Sequence, residues 1–115
     1  MTETVEEFMA GLGRLGASPE RRGGLVAYVV EPVSGRLAGE LVTTAVESAE
    51  LAAWPIAPPH WLHLPATITF ASTNSQPSPL PGWLRHSRQI TGWGADRDPA
   101  QAWLAHVRGV VGQAR

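Results

Sequence analysis

Between Thr2 and Arg14 the apolar residues Val5, Phe8, Met9 and Leu12 recur at i, i+3, i+4 and i+7. That spacing lines one stripe of a helix and predicts one over 2–14. Thr2 and Thr4 can cap its start, and Glu3, Glu6 and Glu7 suit the positive end of the helix dipole. Gly13, Gly16 and the run SPERRGG then break the pattern. GLVAYVVEPV is rich in β-branched and aromatic residues and predicts a strand near 24–31. EPVSGR is a turn in which Gly35 is free to take a positive φ. LAGELVTTAV predicts a second strand near 39–46, paired with the first as a hairpin.

The pattern is less decisive further on. ESAELAAW fits a short strand or a helical turn equally well. HWLHLPATITF predicts an extended segment with Trp61, His63 and Pro65 on one face and Leu62 and Leu64 on the other. From Ala71 to Pro81 the chain has turn and polyproline character without a period. So long a connection in so small a domain is functional or mobile. GWLRHSRQITGW matches no single template. In the last segment Asp98 can cap and Pro99 suits the first helical position. Trp103, Leu104, Val107, Val110 and Val111 form an apolar face, predicting a helix from 99 to about 113. The order predicts one α+β domain over 1–115: an N-terminal helix, an antiparallel meander and a C-terminal helix.

Composition narrows the function classes. A formal net charge of -1 argues against a protein that binds nucleic acid by neutralising phosphates. No apolar run approaches the roughly 20 residues that span a bilayer, and the acidic N-terminus is unlike a secretory signal. A cytoplasmic protein without membrane contact is expected. With no Cys there is no disulfide, thiolate ligand or cysteine nucleophile. All nine basic residues are Arg. The abundance of Ala, Gly, Pro and Arg fits a GC-rich bacterial genome. Absence of Lys also suits a protein working beside a lysine-modifying system.

Candidate chemistry is sparse. His60 and His63 are spaced H-x-x-H, which on a strand points the rings to opposite faces and serves a shared metal poorly. Among acidic residues, only Glu50 lies within ten positions of either. No metal or cofactor is expected, and the pair reads as one partly buried and one exposed imidazole. His86 and Ser87 are adjacent, a poor geometry for base and nucleophile, although His60, His63 or His106 can approach Ser87 from elsewhere. No hydrolase signature is present. Arg85, His86 and Arg88 read instead as a small cationic surface beside Trp83. Of the five Trp, Trp103 belongs to the core, and Trp93, between Gly92 and Gly94, plugs it where the last helix begins. Trp54, Trp61 and Trp83 can serve either the core or a partner groove.

WPIAPPHWLHLP, the long segment after it, Trp93 and the closing helix together resemble the ubiquitin-conjugating fold. There a Tyr-Pro-x-x-Pro-Pro crossing precedes an apolar strand after a four-strand meander. Here Trp54-Pro55 and Pro58-Pro59 match the crossing, with Trp for Tyr, and Leu62 to Leu64 match the strand. GWLRHSRQITGW is similar to bacterial ubiquitin-conjugating-like families encoded beside activating-enzyme and deubiquitinase-like genes. Counting back from Trp93, as in that family, places its catalytic cysteine near Arg85 or His86. This chain has no cysteine, and the family's His-Pro-Asn motif has no counterpart.

The resemblance therefore implies a non-catalytic domain, a binding or scaffold subunit of a bacterial ubiquitin-like or defence system. Its partner would be a ubiquitin-like protein, an activating-type enzyme or another operon-encoded subunit. Trp83, Arg85, His86 and Arg88, with His60 and Trp61, are the candidate binding surface, and Pro58, Pro59 and Trp93 are structural. Two alternatives stand beside it. One is a structural subunit of another assembly. The other is an enzyme using His86 as general base or nucleophile, since imidazole titrates near neutral pH.

Overall fold

The computed structural model describes residues 2–71, 74–94 and 97–115. The elements run α1 (Thr2–Arg14), β1 (Glu20–Arg22), β2 (Leu25–Val30), β3 (Val42–Glu47), a 3-10 turn (Ser48–Leu51), β4 (Trp61–Pro65), β5 (Ser75–Pro77), β6 (Trp83–Ser87) and α2 (Pro99–Val111). All six strands join one antiparallel sheet in the order β1-β2-β3-β4-β6-β5. This is an α+β architecture with an N-terminal helix, an antiparallel sheet and a C-terminal helix.

Both helices cover the same face of the sheet. Val5, Phe8 and Leu12 of α1 and Trp103, Leu104, Val107, Val110 and Val111 of α2 share one core with Val26, Tyr28, Val30, Val42, Val46, Leu62 and Leu64. Those strand residues alternate with outward ones, as a pleated strand requires. Each large side chain so buried stabilises the fold by about 1.5–3 kcal/mol. Two polar pairs lie in or beside this core: Trp103 Nε1 donates to the Tyr28 hydroxyl at 2.8 Å, and Thr44 Oγ1 to the His63 carbonyl at 3.0 Å. Burial pushes the Tyr28 hydroxyl pKa far upward, with the bonds to Trp103 and Thr44 opposing the shift.

Several elements depart from the sequence reading. SPERRGG holds β1, because Gly23 and Gly24 form a two-residue hairpin turn between Arg22 and Leu25, with Gly23 at φ 57°. The strand expected from 39 starts at Val42, since Gly39 turns the chain at φ 81° and donates its amide to the Pro32 carbonyl. Gly35 also has φ 81°, and a Cβ there would run into the Gly112 carbonyl, so the 32–39 loop needs glycine to sit against the end of α2. ESAELAAW resolves to the 3-10 turn, with Leu51 fully buried.

The stretch from Ala71 to Pro81 and the one after it together hold β5 and β6, which continue the sheet beyond β4. The helix expected to reach 113 ends at Val111. Asp98 occupies its N-cap position without a side-chain cap bond; its carboxylate sits 3.8 Å from Arg14, while its carbonyl accepts from the Ala102 amide. Thr4 lies within the first turn of α1 rather than at its head, and the Thr2 side chain lies outside the described residues.

Candidate functional site

The β4–β6 pairing decides which candidate residues meet. Trp61 pairs with Ser87, His63 with Arg85 and Pro65 with Trp83, so these six share the face away from the helices. Leu62 pairs with His86 and Leu64 with Leu84, and these point to the helix side. The cationic surface expected from Arg85, His86 and Arg88 is therefore not formed. His86 is 1 % exposed, with its ring edge-on to Phe70 at 5.0 Å. Burial, reinforced by the Arg88 charge, lowers its pKa below the ordinary histidine value. Arg88 is half-buried, stacks on Phe70 at 4.9 Å and donates from Nη1 to the Ser87 carbonyl. Residues one apart on a strand face opposite ways, so one surface cannot hold both Arg85 and His86.

The helix-free face does bring together Trp61, Trp83 and Arg85. The Arg85 guanidinium lies 4.4 Å from the Trp61 ring centre, donates from Nη2 to Gln76 Oε1 at 2.6 Å, and stands 3.6 Å from Glu47 Oε2. These three contacts hold a half-buried Arg in one orientation on an aromatic platform. Beside it Leu25, Ala27 and Ala45 form a small second apolar cluster, covered by Leu80 and Trp83. Trp61 and Trp83 both keep part of their surface in solvent. The other three Trp are inside or against the core: Trp54 packs edge-on against Phe8 at 4.8 Å, and Trp93 leans on Trp54 and donates from Nε1 to the Pro55 carbonyl at 2.9 Å. Trp93 thus ties the strand-to-helix connection to the proline segment. Pro59 is buried at the head of β4, and the Trp54–Pro55 bond is cis.

Two further groupings form, the first of them the approach of His60 to Ser87 that the sequence allowed. In the first, His60 Nε2 and Ser87 Oγ are 2.5 Å apart, a base-to-hydroxyl contact. The Glu50 carboxylate beside them accepts from the backbone amides of His60 and Trp61, at 2.8 and 3.3 Å, and not from the imidazole. Among the described residues no acid orients the His60 ring. In the second, a ring nitrogen of His63 and one carboxylate oxygen each from Glu47 and Glu50 lie within 4.8 Å of one another. His63 is fully buried, and its Nδ1 is 2.7 Å from Ser78 Oγ. Burial lowers the His63 pKa; Glu47 opposes the shift, while Arg85 and His86 add to it. His60, by contrast, is exposed, so the H-x-x-H pair comprises one surface ring and one interior ring. The only sign of this grouping in the sequence is the E-x-x-E spacing of Glu47 and Glu50, which a 3-10 turn brings to one side.

On the helix side, Gln89, Thr91, Trp93, Arg97 and His106 help line an open cleft of about 330 Å³. His106 has its pKa lowered by burial, and by the nearby Arg88. No helix among the described residues is long and apolar enough to cross a membrane. Comparison of the chain with protein-family models, curated proteins and solved structures finds no match.

Proposed function

We propose that this chain is a cysteine-free ubiquitin-conjugating-like domain that acts as a binding subunit of a bacterial ubiquitin-like conjugation or defence system in the cytoplasm. Its occupant would be a ubiquitin-like protein or an activating-type enzyme. The observation that carries the reading is the Trp61–Arg85 stack beside Trp83 on the helix-free face. Trp and Arg held in fixed orientation are the residue types that most often anchor an interface. Support for the family comes from the order of elements. Four strands, β1 to β4, follow α1 as neighbours in sequence order, Pro58-Pro59 leads into β4, and Trp93 packs at the entrance to α2. The β5–β6 hairpin occupies the place where the family has an irregular segment. Without a thiol the chain has no thioester step.

The test is a titration of the isotope-labelled domain with a ubiquitin-like protein and, separately, with its activating-type enzyme, followed by NMR. Chemical-shift changes centred on Trp61, Trp83 and Arg85 are expected. Changes confined to the α1–α2 side, or none with either protein, would remove the reading.

A second reading rests on the His60–Ser87 contact, which favours Ser87 as an acyl acceptor with His60 as its base. In that case intact-mass spectrometry after incubation with an activated acyl donor shows an adduct on Ser87 that is lost in His60→Ala. The binding-subunit reading expects no adduct. The His86-dependent alternative requires a ring that reaches solvent, and His86 is packed on the inner face.

A further inference from the structure

Glu47, Glu50 and His63 converge from three consecutive elements: the end of β3, the 3-10 turn that follows and the middle of β4. His63 lies opposite Ala45 in the sheet, and the small Ala side chain leaves the imidazole room on the helix-free face. The site is polar and incompletely paired. His63 is fully buried, and among the described residues its Nε2 has no hydrogen-bond partner. One oxygen of Glu50 is committed to the His60 and Trp61 amides, while Oε2 is also buried without a partner. A buried polar atom left unpaired costs about 1–3 kcal/mol. Two such atoms, on His63 and Glu50, belong to one grouping. Two carboxylates face one guanidinium, that of Arg85, so the grouping carries a net negative charge beside an imidazole whose charged form is disfavoured.

We propose that Glu47, Glu50 and His63 bind a divalent transition-metal ion of the zinc type. His63 Nδ1 is 2.7 Å from Ser78 Oγ; in the proposed site Nδ1–H donates there and leaves the Nε2 lone pair for the metal, the second hydrogen bond by which metal-ligating histidines hold their ring. Ser78 Oγ is itself held by the Leu80 amide at 3.2 Å. One imidazole with two carboxylates suits zinc better than Mg²⁺ or Ca²⁺, which favour oxygen donors alone. The three ligand atoms lie within 4.8 Å of one another, and small side-chain rotations bring them to the roughly 3.3 Å between ligands of a tetrahedral ion. Arg85, 3.6 Å from Glu47, competes with the metal for that carboxylate.

The experiment is calorimetric titration of the EDTA-stripped full chain with ZnCl₂, and separately with MgCl₂, alongside thermal melts. The proposal expects one Zn²⁺ per chain, a rise in Tm reversed by EDTA, and little response to Mg²⁺. Glu47→Gln and Glu50→Gln should each weaken Zn²⁺ binding at least tenfold, Arg85→Gln should tighten it, and His60→Ala should leave it unchanged. Glu47→Gln decides the matter if the Glu50 variant does not fold, because the Glu50 carboxylate accepts from the His60 and Trp61 amides whereas that of Glu47 faces Arg85. Failure of the wild type to take up Zn²⁺ would overturn the proposal. So would uptake that persists in Glu47→Gln or disappears in His60→Ala. None of these results bears on whether the Trp61–Arg85 face binds a protein.

Discussion

On the helix-covered face of the sheet, Val26, Tyr28, Val46, Leu62 and Leu64 meet Phe8, Trp103 and Val107, and none of these residues is more than 1 % exposed. On the opposite face the same or neighbouring strands present Glu47, Trp61, His63, Trp83 and Arg85. The inner face pairs Trp103 with the Tyr28 hydroxyl and Thr44 with a backbone carbonyl, and keeps a buried nitrogen, His106 Nε2, without a hydrogen-bond partner among the described residues. The outer face leaves His63 Nε2, Glu50 Oε2 and Arg85 Nε buried without hydrogen-bond partners among the described residues. Native proteins pair nearly all such atoms. The outer face concentrates three such atoms around one pair of strands. The difference separates what holds this fold from what the fold holds.

The comparison breaks most visibly if the two faces prove equally important to stability. Trp103→Ala empties the centre of the inner core and is expected to cost about 3–5 kcal/mol in denaturant unfolding. Trp61→Ala removes a half-exposed ring and its stack with Arg85, and is expected to cost about 1 kcal/mol or less. Equal losses would mean that the outer platform is structural. Next in size is Arg85→Ala. It should weaken partner binding by about 2 kcal/mol, roughly thirtyfold, while leaving the unfolding midpoint near the wild type. If binding survives and the midpoint falls instead, Arg85 is a brace for Glu47 and Gln76 rather than an anchor.

The contrast between the faces also explains how much was legible in the chain. Both helices, the β2–β3 hairpin and the alternation in β4 are written in apolar periods, because burial against a common core imposes them. β6 escaped because one of its two inward residues is His86; a histidine in a core position hides the alternation of WLRHS. The same histidine divides the candidate surface, since Arg85, His86 and Arg88 look contiguous in sequence but are separated by the pleat. Trp61 and Arg85 were both visible as candidates. Their stacking depends on a strand pairing across an irregular connection, which no local pattern encodes. The Glu47–Glu50–His63 grouping depends on the same long-range pairing. Residues spaced as Glu47 and His63 are meet only because β3 and β4 lie side by side.

A finer test of the inner face is Tyr28→Phe. The ring stays and only the hydroxyl goes, so the Trp103 indole N–H loses its acceptor in a dry core. About 1–2 kcal/mol of destabilisation is expected, and the two positions should be non-additive in a double-mutant cycle with Trp103→Phe. Full additivity would show that the indole finds another acceptor and that the inner face is less tightly closed than its geometry indicates.

The smallest effect concerns protons and draws on both faces. His86 and His106 on the helix side and His63 on the outer side all have pKa values lowered by burial. In the unfolded chain each returns to about 6.5. Below that value the unfolded state takes up protons before the folded state does, so unfolding is favoured as pH falls. The contribution of these neutral rings is fully present above about pH 6.5 and is lost progressively below it. Thermal melts from about pH 7.5 to about pH 5.5 should therefore show a falling Tm, before most carboxylates begin to titrate. Glu47 sharpens this into a contrast between faces, because its charge attracts a proton to His63 and has no such role at His86. Glu47→Gln should lower the His63 pKa further and steepen the loss of Tm below pH 6.5. A shallower slope in that variant would mean that the outer imidazole is held charged in the folded protein.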